Sequence, residues 1–151
     1  FTTAFANRLN GLCALEVKEA ADGDIVLPGR VLIAPGGRHM LLHRQSARYT
    51  VSIQDGPYVC RHRPSVDALF QSAVPVAKRV TAAILTGMGR DGAEGLLALR
   101  RAGARTIGQD RETSVVYGMP GHAAKLGAVD RELPLSAIGP AILRTTQGVQ
   151  A

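Results

Sequence analysis

"VTAAILTGMGRDGAEGLLALRRAGARTIGQD", Val80 to Asp110, reads as a strand, a loop, a helix and a second strand. Val80 to Leu85 is a continuous apolar run of strand length, the pattern of a strand covered on both faces rather than one. Gly92 to Ala102 carries Leu96, Leu97 and Leu99 inward at helical spacing, Gly103 stops the helix, and Arg105 to Gln109 returns as a strand. Strand, helix and strand in succession fold as a right-handed parallel crossover, so the stretch predicts an α/β fold.

Reading outward keeps the same class. A short helix starting near Pro120 leads through Gly127 to a strand over Val129 to Leu133, and Ser136 is placed to cap a last helix through Arg144. Upstream, Ser65 after Pro64 caps a helix with Val66, Leu69, Phe70 and Ala73 on one face. "RHMLLHR" and "RYTVSI", separated by Gln45 to Ala47 and stopped by Asp55-Gly56-Pro57, predict a hairpin. Arg30 to Ala34 is a strand of buried type and Leu15 to Glu19 alternates. Phe5, Leu9 and Leu12 mark an opening helix with Thr2 or Thr3 as its cap, ending near Gly11. The expected architecture is a mainly parallel, doubly wound sheet with helices on both faces and an antiparallel hairpin, over residues 1–144, with 145–151 as a tail.

Composition narrows the function. The 151 residues suit one domain, and 46% hydrophobic with 20% charged content is that of an ordinary folded protein. The longest apolar runs are far too short for a membrane span, which makes cytoplasm the expected location. Cys13 and Cys60 form no C-x-x-C motif and are read as reduced, structural residues. A net charge of +6 favours acidic partners, but the basic residues are scattered and aromatics are only 4%, so nucleic acid is not an expected partner. The chain opens on Phe1 within an amphipathic segment, which reads as a piece of something longer.

In parallel sheets ligands meet the loops at the carboxyl ends of strands, which puts Thr86 to Asp91 and the residues after Asp110 on the functional edge, with Ala34 to Gly37 a further candidate. Gly87, Gly89 and Gly92 match the spacing of a dinucleotide loop, yet Asp91 in their midst would repel phosphate and no lysine follows. Two roles for Asp91 stay open: a helix N-cap, or a carboxylate that orients a histidine beside an attacking serine. None of Ser46, Ser52, Ser65, Ser72, Ser114 and Ser136 sits in a sharp glycine turn. His39 and His43 fall about 13 Å apart along a strand, no H-E-x-x-H or Cys/His cluster is present, and neither metal nor cofactor is expected. His62, flanked by Arg61 and Arg63, is either solvated surface or a contact for an acidic substrate.

"LPGRVLIAPGGRHMLL", "DGPYVCRHRPSVDALFQSA", "ILTGMGRDGAEGLLALRRAGARTIGQD" and "VVYGMPGHAAKLGAVD" together resemble, in order, the catalytic domain of the bacterial chemotaxis protein-glutamate methylesterase family. The resemblance implies a cytoplasmic serine hydrolase that demethylates glutamyl esters, and deamidates glutamines, on chemoreceptor helices, regulated by an amino-terminal receiver domain. It implies that Asp91 is the acid of a Ser-His-Asp triad. Amides around Gly87, Met88 and Gly89 would then support the oxyanion, Met88 having packing as its alternative role. The family's serine and base histidine map before "FTTAFANRL", so these residues alone are expected to be inactive, to leave a sheet edge open and to associate. The competing readings are a non-catalytic receptor-binding module and a nucleotide- or nucleic-acid-binding domain.

Overall fold

A helix, two parallel strands and a hairpin open the chain in a computed structural model that describes residues 1–147. Two units are distinguished, Phe1–Ser72 and the residues from Ala73 onward. The tail read at 145–151 lies mostly outside the described residues.

In the first unit α1 (Thr2–Leu12) leads to β1 (Glu16–Glu19), which pairs in parallel with β2 (Arg30–Ile33). Glu16 and Arg30 stand opposite each other in that register and form an ion pair at 2.9 Å. The α1 cap differs from expectation: Phe1 is the N-cap, and the hydroxyls of Thr2 and Thr3 donate instead to Glu19, holding its carboxyl below the usual range. The helix also runs past Gly11 to Leu12. The connection from β1 to β2 lies along β4, with Val51 N–H donating to Asp24 O and Gly23 N–H to Val51 O. β3 (His39–Gln45) and β4 (Arg48–Gln54) form the antiparallel hairpin expected from their alternation. Its core is Ala20, Met40 and Val51, covered by Leu32, Leu42, Ile53 and by Leu69 of α2 (Val66–Ala73). Ser65 caps α2 through its Oγ, which accepts from Ala68 N–H at 3.2 Å.

A short 3₁₀ segment, Val74–Arg79, absent from the sequence reading, opens the second unit because Pro75 disrupts regular helix there. It leads into a three-stranded parallel sheet of β5 (Thr81–Ile84), β6 (Arg105–Gln109) and β7 (Arg131–Leu133), in that order. The predicted crossover is present, with α3 at Ala93–Arg101. Ile138 and Ala141 of α5 (Leu135–Thr145) pack on Ile107, Ala83 and Leu133, one face of the sheet. Strand alternation turns the buried Ala82, Ile84 and Thr106 to the other face, where α3 and α4 (Met119–Lys125) lie against β6. The expected Ser136 cap is corrected: α5 starts at Leu135 with Pro134 as N-cap, since a proline's fixed φ suits a helix entry.

Candidate active site

The loop that leaves β5 at its carboxyl end is gripped from two sides. Thr86 N–H donates to Gln109 Oε1 at 2.8 Å, and Thr86 Oγ1 exchanges hydrogen bonds with Val116, donating to its carbonyl at 3.1 Å and accepting from its N–H at 2.9 Å. Gly87 N–H donates to Val116 O at 3.1 Å and Met119 N–H to Gly87 O at 2.8 Å, forming a parallel bridge with the 116–119 segment. Bare backbone is required at this contact. A Cβ on Gly87 would lie 2.4 Å from Met119 Sδ, and one on Gly118 would lie 2.7 Å from Gly87 O.

The chain then turns through Gly89 and Gly92, at φ 96° and 95°, a left-handed backbone that favours glycine. Between them stands Asp91, only 5% exposed. The N-cap reading of Asp91 is corrected by this geometry, because the N-cap of α3 is Gly92 and Asp91 precedes it. Met88 is 81% exposed, which removes its role as packing filler. Among the described residues, the amides of Met88 and Gly89 donate no hydrogen bond, whereas that of Gly87 is committed to Val116.

The loop after β6 is equally ordered. Asp110 Oδ1 accepts from Thr113 N–H at 3.0 Å and from its hydroxyl at 2.6 Å, and Ser114 Oγ donates to Asp110 O at 2.6 Å. The Arg111 guanidinium lies 4.7 Å from the centroid of the Tyr117 ring. Tyr117 donates its hydroxyl to Glu132, which holds the phenol above its ordinary pKa. Arg111, Tyr117, Gly121, His122 and Lys125 border a concavity of about 420 Å³ beside this loop.

In the first unit, the three candidate substrate contacts separate. Arg61 and His62 are exposed, Arg61 at φ 65°. Arg63 folds back: its Nη1 donates to Gly56 O at 3.1 Å and its guanidinium lies 4.7 Å from the Tyr58 ring centroid. His39 is buried and structural. Its Nδ1 accepts from Ser65 N–H at 3.2 Å, so its proton sits on Nε2, which donates to Pro57 O at 2.7 Å. His43 is exposed and pairs with Ser52 at 2.7 Å. Neither Cys13 nor Cys60 forms a disulfide; Cys60 donates to Asp67 at 3.3 Å, while Cys13 is exposed and has no packing role, contrary to its structural reading. Among the described residues no helix is long and apolar enough to cross a membrane.

The model of the CheB methylesterase family matches residues 1–142. The chain belongs to the CheB methylesterase family. Its relatives include protein-glutamate methylesterase/protein-glutamine glutaminase 5 of Anaeromyxobacter dehalogenans, 65% identical over 95% of this chain and 40% of the relative. The corresponding protein 2 of Rhodospirillum rubrum is 61% identical over 95% of this chain and again 40% of the relative. The chain therefore spans about two fifths of the length of these relatives. The crystal structure of the Thermotoga maritima CheB methylesterase catalytic domain superposes with a TM-score of 0.91 at 37% identity, covering 95% of this chain and 77% of that one. The α/β architecture is thus that of a CheB catalytic domain. The residue missed by sequence reading is Gln109, whose signal was an amide side chain at the carboxyl end of a strand whose last four residues are buried.

Proposed function

We propose that this CheB-family chain forms the carboxyl-terminal part of a serine-type methylesterase catalytic domain that demethylates glutamyl esters, and deamidates glutamines, on methyl-accepting chemoreceptors. The carrying observation is Asp91: a carboxylate 5% exposed, in a clamped glycine loop at the carboxyl end of β5, within a family match over residues 1–142. In the intact domain a histidine takes the serine proton, serine attacks the ester carbonyl, methanol leaves, and water hydrolyses the glutamyl-enzyme. Asp91 would accept from the far ring nitrogen of that histidine, fixing its tautomer and stabilising the imidazolium. With the Gly87 amide engaged, the oxyanion donors proposed here narrow to the amides of Met88 and Gly89. Arg61 and His62 are exposed and suit an acidic receptor helix, whereas Arg63 supports its own loop. A receiver domain would precede this part of the chain, and the cytoplasm is the compartment such substrates require.

The test is Asp91→Asn in the full-length protein, assayed by methanol release from methylated receptor. Turnover is expected to fall on the order of a thousandfold or more, as when the acid of a triad is neutralised. Near-normal turnover would overturn the assignment. The 151 residues alone are expected to release no methanol, since the serine and histidine are assigned to positions outside them.

A further inference from the structure

Gln109 is fully buried at the end of β6, at 0% exposure. Both ends of its amide are engaged: Oε1 accepts from Thr86 N–H at 2.8 Å, and Nε2 donates to Thr113 O at 2.9 Å and Thr113 Oγ1 at 3.2 Å. A backbone N–H can only donate and a carbonyl can only accept, so the amide has a single possible orientation. The neighbours on its side of the sheet, Ile107 and Leu133, pack with Ile138 and Ala141 of α5. The apolar stem of Gln109 suits that environment, and its buried amide is tolerated there because both ends are hydrogen-bonded, which also fixes its geometry.

That geometry joins the two loops of the candidate site. One end of the amide holds Thr86, the residue that starts the turn toward Asp91; the other holds Thr113, whose hydroxyl also accepts from Leu135 N–H at 3.0 Å at the start of α5. Thr86 is pinned on its second side by Val116, which belongs to the same loop as Thr113.

We propose that Gln109 is a positioning residue for the reaction, its side-chain amide setting the height of the Thr86–Gly89 turn and thereby the carboxylate of Asp91. The proposal rests on the reading of Asp91 as triad acid. It assigns Gln109 no contact with substrate: its effect passes through Asp91 and the adjacent amides.

The experiment is a double-mutant cycle in the full-length protein, with kcat and KM for methanol release from methylated receptor. Gln109→Met keeps the length and removes both hydrogen-bonding ends; Gln109→Glu keeps the acceptor for Thr86 and sets an oxygen against the Thr113 carbonyl. Each is expected to lower kcat about tenfold to a hundredfold with KM within about twofold. When Asp91 is already Asn, the added cost of Gln109→Met is expected to shrink below about threefold, because both changes remove the same orientation. Amide exchange at Thr86 should accelerate in Gln109→Met while that of Ile107 does not change. Full multiplication of the two losses, or unchanged kcat in Gln109→Met, would overturn the proposal. Normal turnover of Asp91→Asn by itself would instead remove the triad reading. Should Gln109→Met fail to fold, Gln109→Glu, which keeps the acceptor for Thr86 and loses the donor to Thr113, enters the same cycle with the same criterion of non-additivity.

Discussion

Asp91 shows how far a single residue could be read in advance. Its place after a strand and among glycines was legible, because loop composition and the carboxyl-end rule both act locally. Its relation to the helix was not, since only the backbone reveals that Gly92, at φ 95°, takes the capping position. Gln109 was invisible for a different reason: its partners, Thr86 and Thr113, lie on two loops whose approach depends on the whole sheet. At Gly118, where an added Cβ would meet Gly87 O at 2.7 Å, Gly118→Ala is expected to cost about 1–3 kcal/mol, read as a lower urea midpoint, because backbone must give way. Asp24 carries a pH prediction. Ala21 N–H donates to its Oδ2 at 2.8 Å and Lys18 Nζ also lies at 2.8 Å, so its folded pKa is depressed below the ordinary aspartate value. Its contribution is complete above about pH 4, the unfolded value, and is lost as pH falls through the lower folded value. Asp24→Asn should therefore show a smaller loss of urea midpoint than the parent between pH 6 and pH 3, and equal losses would contradict the assignment.

Elements with strong periodicity were the most legible. α3 appeared where Leu96, Leu97 and Leu99 predicted it, with Leu96 and Leu99 at 0% exposure and Leu97 only half-buried, because a helix buried along one stripe takes the i, i+3 pair inward. Leu99→Ala is expected to lower stability by about 2–5 kcal/mol, measured by chemical denaturation. Helix entries were less legible. Thr2, Thr3 and Ser136 have the chemistry of caps, but Glu19 takes the first two hydroxyls and Pro134 sets the α5 entry two residues earlier. The pairing of β1 with β2 was also hidden, since four-residue strands state no partner and their parallel alignment rests on a connection bonded to β4.

At the scale of the whole molecule, the fold class was legible because helices and strands alternate through the second half and a hairpin interrupts the first. Large apolar side chains nonetheless face water: Phe5 and Leu12 of α1 at 53% and 72%, and Val115 at 90%. In the three-stranded sheet β5 occupies an edge. The 151-residue chain is accordingly expected to self-associate, with a light-scattering mass that rises with concentration. A monomer mass independent of concentration would show that water tolerates this surface. The β3–β4 hairpin has a practical consequence. Its tip, Ser46-Ala47, is exposed and its strands are registered along their whole length from His39↔Gln54 to Gln45↔Arg48. A short epitope or fluorophore-bearing insert at that tip would leave the ladder intact, giving a handle for tracking the protein without touching either terminus.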